Sequence, residues 1–154
     1  MGAYLTIVGS CYIVDYNVRP PGGGLEGLEE LDVVGLDFAT ETAYLCEVTT
    51  HIRGLRYGSN EETVARIAKK HRRQKQYADR YLRRFPHRTY MLWSPVVPEG
   101  YLTEHLRRIE LLELVINEEY AKRVDELRAE ARDRTNIEGN DVFRVLQILE
   151  RLRR

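Results

Sequence analysis

Cysteine is scarce in this chain of 154 residues: there are two, Cys11 and Cys46. They stand far apart and in no metal-binding or redox spacing, which sets aside a disulfide framework and a paired-thiol redox centre. Two free thiols suit a reducing, cytoplasmic compartment. Long apolar runs are also missing. None approaches the ~18 residues of a membrane span, so no membrane partner is expected. The opening MGAYLTIVGSCYIVDY lacks the basic start and the clear cleavage site of a secretory signal. The four histidines form no HExxH or paired-ligand spacing, which argues against zinc. No GxSxG is present, and neither cysteine has an obvious base, so a nucleophilic hydrolase is not indicated. The glycines at 22–24 are not followed by a helical pattern, so they do not read as a phosphate loop.

Net charge is absent as well, with 24 basic and 24 acidic residues, but the signs are segregated. Residues 1–60 hold three basic and eight acidic side chains, residues 61–98 ten and three, and residues 99–154 eleven and thirteen. An acidic first third beside a basic middle suits one surface that holds a cation and another that attracts a polyanion.

The length fits a single domain spanning 1–154. Residues 2–11 read as a short helix leading into a strand at Tyr12–Val18. RPPGGGLEGLEE, residues 19–30, reads as a long mobile loop, because Pro20 and Pro21 stop regular structure and the glycines loosen it. Strands follow at Leu31–Phe38 and Ala43–Ile52. Ser59 or Asn60 caps a helix over Glu61–Arg84, with Glu61 and Glu62 suiting its positive end, and Pro86 terminates it. RTYMLWSPVV, residues 88–97, is a buried strand that places Trp93 in the core. Leu102–Arg108 is a short helix and 110–116 a strand. Glu118–Arg134 is an amphipathic helix with Tyr120, Val124, Leu127 and Ala131 on one side. Asn140 or Asp141 caps a last helix. This order predicts an α/β fold with a central mixed β-sheet, flanking helices and extra C-terminal helices.

Charge inside the hairpin ELDVVGLDFATETAYLCEVTTHI, residues 30–52, asks for an explanation. A loop of Ala39–Thr42 or of Thr40–Glu41 pairs residues whose numbers sum to 81, so Asp32 is expected opposite Thr49. Alternation then gathers Asp32, Val34, Leu36 and Phe38 on one face with Ala43, Leu45, Glu47, Thr49 and His51. Asp32 and Glu47 become diagonal neighbours about 7–8 Å apart at the backbone. Asp37 goes to the other face. Two close carboxylates repel unless a cation sits between them. A hard divalent ion such as Mg²⁺ or Mn²⁺ suits oxygen ligands, with the Val48 carbonyl as a third.

The long helix supplies the other half. Val64, Ile67, Ala68, Ala78, Leu82 and Phe85 form its apolar stripe, with His71 and Lys75 inside it and Gln74 at its edge. Lys70 lies about a quarter-turn from the stripe centre and reaches its rim. Arg66, Lys69, Arg72, Arg73, Arg80, Arg83 and Arg84 fall largely outside it, where they suit phosphate contacts.

ELDVVG (30–35) followed by CEVTTH (46–51) resembles the PD-(D/E)xK nuclease pattern of restriction-endonuclease-like proteins. Asp32 matches the first acid and Glu47 the second. Thr49 occupies the position that is usually lysine. The likeness extends in element order over roughly residues 2–95. It implies a restriction-endonuclease-like core and a metal-dependent DNA endonuclease of restriction or repair type, a Mg²⁺-dependent deoxyribonuclease. Asp32, Glu47 and the Val48 carbonyl would hold the metal, and Thr49, Lys70 and Gln74 would complete the catalytic set. Threonine carries no charge. Either the lysine has moved to the helix, as Lys70 or Lys75, or the site is weak or dead; His51 is a further candidate base. The implied partner is DNA, and cutting both strands would call for a homodimer. A catalytically inactive nucleic-acid-binding or assembly module on the same fold is the alternative, and a plain interaction protein using its C-terminal helices a third.

Overall fold

The computed structural model describes residues 1–21, 30–136 and 139–153. Helix α1 (Gly2–Ile7) precedes three strands, β1 (Ile13–Val18), β2 (Leu31–Asp37) and β3 (Thr42–Val48). Helix α2 (Asn60–Tyr81) leads to β4 (His87–Ser94), α3 (Tyr101–Arg107), β5 (Leu112–Ile116), α4 (Asn117–Asp133) and α5 (Asp141–Leu152). Most of the 19–30 loop, residues 22–29, lies outside the described residues; at its ends Arg19 and Glu30 form an ion pair at 3.0 Å.

The five strands form one sheet in the order β1-β2-β3-β4-β5. The first three run antiparallel, and β4 and β5 are parallel to β3. A parallel neighbour needs a crossover, and α2 supplies it between β3 and β4. Alternation along the strands divides the core in two. Val33, Cys46, Met91, Trp93 and Val115 pack with α1, α4 and Phe143 of α5. On the other face Val34, Ala43, Leu45 and Tyr90 pack with Ala78 of α2, and Leu92 packs with Ile67 and Leu102. The molecule is therefore an α/β structure with helices on both faces of a mixed sheet.

The long helix starts as its sequence prescribes. Ser59 accepts the Glu62 N–H, and the Glu62 carboxylate accepts the Ser59 N–H, a reciprocal capping box. Gly58 takes φ +86° directly before it, a conformation that side chains resist. Trp93 is core, ringed by Tyr4 and Tyr120 with centroids 5.4 and 6.0 Å away.

The hairpin register departs from the expectation by two residues. Asp37 pairs with Thr42 and Val33 with Cys46, so paired numbers sum to 79. The turn chemistry is the cause. Asp37 accepts N–H bonds from Ala39 (2.9 Å) and Thr40 (3.3 Å) and the Thr40 hydroxyl at 2.6 Å. Glu41 then adopts φ 51°. Phe38 leaves the strand to pack on Tyr12 and Phe85. A shift of two preserves parity, so the acids keep the face expected of them. β3 also ends at Val48, before Ile52. The chain bends at Gly54, which has φ +107°, and carries Leu55 into the core.

Candidate functional site

At the open end of the β2–β3 hairpin, the register carried on from Val33–Cys46 sets Asp32 directly opposite Glu47 rather than Thr49. Asp32 Oδ2 accepts the Val48 N–H at 2.7 Å, which bends its carboxylate across to β3. Glu47 is buried, with 4% of its surface exposed. An ionised carboxylate there loses several kcal/mol of hydration unless another charge compensates. The compensating charge comes from α2: the Lys70 ammonium is ion-paired with Glu47 Oε1. That oxygen accepts no hydrogen bond of good geometry, so the contact is one of charge. Burial pulls Lys70 below the ordinary lysine range; Asp32 opposes the shift, and Arg73 adds to it.

These groups line a cleft of about 660 Å³. Glu30, Leu31, Asp32 and Glu47 contribute from the strands, and Ala65, Arg66, Lys69, Lys70 and Arg73 from α2. The placement follows from helical periodicity. Thr63, Ile67, His71, Gln74 and Ala78 are the buried side of α2, and Arg66, Lys69, Lys70 and Arg73 flank it on the side of the hairpin's open end. Arg66 stacks over the Tyr57 ring at 4.3 Å, which fixes one arm of the basic wall. A shallower depression, lined by Lys69, Arg72, Arg73 and Gln76, continues the positive surface along α2.

Three of the expected site residues therefore converge, namely Asp32, Glu47 and Lys70, with the Val48 peptide beside them. Two do not. Thr49 is 3% exposed, and its hydroxyl donates to Ser94 Oγ at 2.8 Å, so it ties the ends of β3 and β4 together. Gln74 is 1% exposed. Its amide nitrogen donates to the carbonyls of Leu45 (3.0 Å) and Met91 (3.2 Å), and its oxygen faces His71 Nδ1. It links α2 to two adjacent strands and does not line the cleft. Lys75, the other candidate for the missing lysine, also lies outside the cleft lining. His51 packs its ring against Tyr57 rather than on the acids. His71 is a core histidine, with Nε2 3.0 Å from the Glu110 carbonyl and its ring against Tyr90.

One charged residue of the cleft was not singled out from the sequence. Glu30 stands at the rim, paired with Arg19. Its signal was an acid immediately preceding the strand that bears Asp32.

A resident metal can be judged against these donors. Among the described residues no three His, Cys, Asp or Glu side chains gather as a ligand cluster. Two carboxylates and a peptide carbonyl suit an ion that keeps most of its water, the habit of Mg²⁺. Among the described residues, the buried Glu47 Oε1 is answered only by the Lys70 ammonium, whose place such an ion would take. Compared with protein-family models, curated proteins and solved structures, the chain matches none.

Proposed function

We propose that the chain is a metal-dependent deoxyribonuclease built on a restriction-endonuclease-like core. The observation that carries this reading is the meeting of Asp32, Glu47 and Lys70 in one cleft whose α2 wall is basic. The element order supports it: a helix, three antiparallel strands, a helix and a fourth strand parallel to the third. Asp32, Glu47 and the Val48 carbonyl would hold Mg²⁺ or Mn²⁺. Bound there, the ion would lend charge to the phosphoryl oxygens and acidity to a water. Arg66, Lys69 and Arg73 grip the phosphates on either side of the scissile bond and fix its place in the cleft.

Lys70 takes the role that the resemblance assigns to a lysine at position 49. It stands beside both acids, reaching them from the helix instead of from β3. Its ammonium balances the acids before substrate arrives and faces the negative charge that grows on the phosphoryl group. Thr49 and Gln74 hold the strand ends and the helix in place around it.

The test is cleavage of plasmid and of labelled single- and double-stranded oligonucleotides with Mg²⁺ or Mn²⁺. Cutting that disappears in Asp32→Ala and in Glu47→Ala supports the assignment. Cutting that persists in both variants would overturn it. The alternative, a nucleic-acid-binding or assembly module without activity, draws on the engagement of Thr49 with Ser94. It predicts salt-sensitive DNA binding and no cleavage with any divalent ion.

A further inference from the structure

Helix α5 shows two unlike sides. Phe143, Gln147 and Glu150 are buried on one. Glu150 is held by Arg128 at 2.7 Å and by Arg153 at 3.5 Å, and Gln147 donates to the carbonyls of Arg134 and Asn136. The Asn140 side chain caps the helix start by accepting the Phe143 N–H at 3.0 Å. These bonds fix how the helix is turned. The opposite side is nevertheless apolar: Val142, Val145, Ile148, Leu149 and Leu152 are 66%, 56%, 49%, 51% and 76% exposed. Val142, Val145, Leu149 and Leu152 recur at alternating steps of three and four, the seam of a helix that packs on another helix.

We infer that this stripe is a homodimer interface, on which α5 of a second copy packs antiparallel. A two-fold contact requires a patch that fits itself, and a uniform apolar seam does so. Charge selects the direction. The helix begins at Asp141 and ends in Arg151 and Arg153. Antiparallel packing brings each acidic start beside the partner's basic end and opposes the helix dipoles, whereas parallel packing would set like ends together. The stripe exposes on the order of a few hundred Å², the size of the largest apolar patch on a typical monomer, which is often functional. A standard interface buries about 800 Å² per partner, so the dimer is weak and concentration-dependent.

The interface does not depend on the nuclease reading; one consequence for substrate does. α5 packs on the sheet face that carries α1 and α4, and the cleft lies against α2 on the other face. The two clefts of the dimer then look away from each other. Each handles its own nucleic-acid segment, in place of paired cuts at one site.

Sedimentation velocity of the full chain from low to high micromolar concentration tests the interface. The wild-type protein should shift from monomer to dimer. Val145→Asp and Leu149→Asp should each weaken the dimer at least tenfold without altering the melting curve of the dilute monomer, because about half of each residue faces solvent there. A wild-type chain that stays monomeric throughout, or a dimer indifferent to both variants, would overturn the proposal. Direction is read with a short bis-maleimide. Val142→Cys chains mixed with Leu152→Cys chains should cross-link only to each other, since Cys11 and Cys46 are buried. Efficient linking of Val142→Cys to itself would contradict the antiparallel arrangement, in which the two copies of that position lie roughly 15 Å apart along the axis. DNA cleavage is measured in parallel, so loss of the dimer and loss of activity are scored separately.

Discussion

The two ends of the β2–β3 hairpin each bury a carboxylate, and they treat it in opposite ways. At the turn, Asp37 is satisfied locally by two amides and the Thr40 hydroxyl. That hydroxyl, more than the amides, holds its carboxyl below the usual range, against an upward pull from burial. At the open end, Glu47 is equally hidden but has an oxygen with no hydrogen bond among the described residues, answered by an ammonium from another element. A buried acid that closes its own turn is structural. A buried acid balanced by the charge of a side chain on another element, beside a second acid and a solvent cleft, retains bonding capacity for a ligand.

The contrast can be broken most forcefully at Glu47. Glu47→Ala should lower the cleavage rate roughly a thousandfold, since several kcal/mol of charge stabilisation leave with the ion. Asp37→Ala should leave the rate per folded molecule unchanged. Plasmid nicking by both variants, normalised to folded protein by circular dichroism, makes the comparison.

Lys70 is next. Lys70→Ala should cost roughly 100-fold in cleavage, the scale of losing one donor aimed at developing charge. The double variant Lys70→Ala/Thr49→Lys should recover part of that loss, because position 49, the first after β3, stays bonded to the Trp93 carbonyl and keeps the alternation with Glu47 two residues back. No recovery in a folded double variant would mean that the helix position is the one geometry the cleft accepts.

Gln74 is expected to act on stability. Gln74→Ala removes a buried donor to the Leu45 and Met91 carbonyls and should cost about 1–3 kcal/mol in urea unfolding. Catalysis per folded molecule should not change.

The smallest effect concerns pH. A carboxyl whose folded pKa is depressed stabilises the fold above its unfolded value, about 3.9, and loses that contribution as pH falls through the lower folded value. The melting difference between wild type and Asp37→Asn should therefore be complete at neutral pH and shrink below about pH 4.

Most of the architecture was legible in the chain. Periodicity, Ser59 and Asn140 placed the helices, though α2 stops at Tyr81, short of the expected Arg84 and of Pro86, and alternation placed both acids on one face. The register was not legible, because the Asp37 side chain decides where the turn closes, and alternation is blind to shifts of two. Lys70 was readable as a rim residue by its angle on α2. The work of Thr49 and Gln74 was not. Their partners, Ser94, Leu45 and Met91, are distant in sequence and meet them only once β3, β4 and α2 have packed.

The central claim is that the open end of the hairpin is a cation site screened by Lys70, unlike the closed turn. A crystal soaked in Mn²⁺, with anomalous data recorded near the manganese edge, tests it most directly. A peak between Asp32 and Glu47, with the Lys70 ammonium moved off Glu47 and nothing beside Asp37, is the expected result. Lys70 still seated on Glu47, with no peak in the cleft, would contradict it.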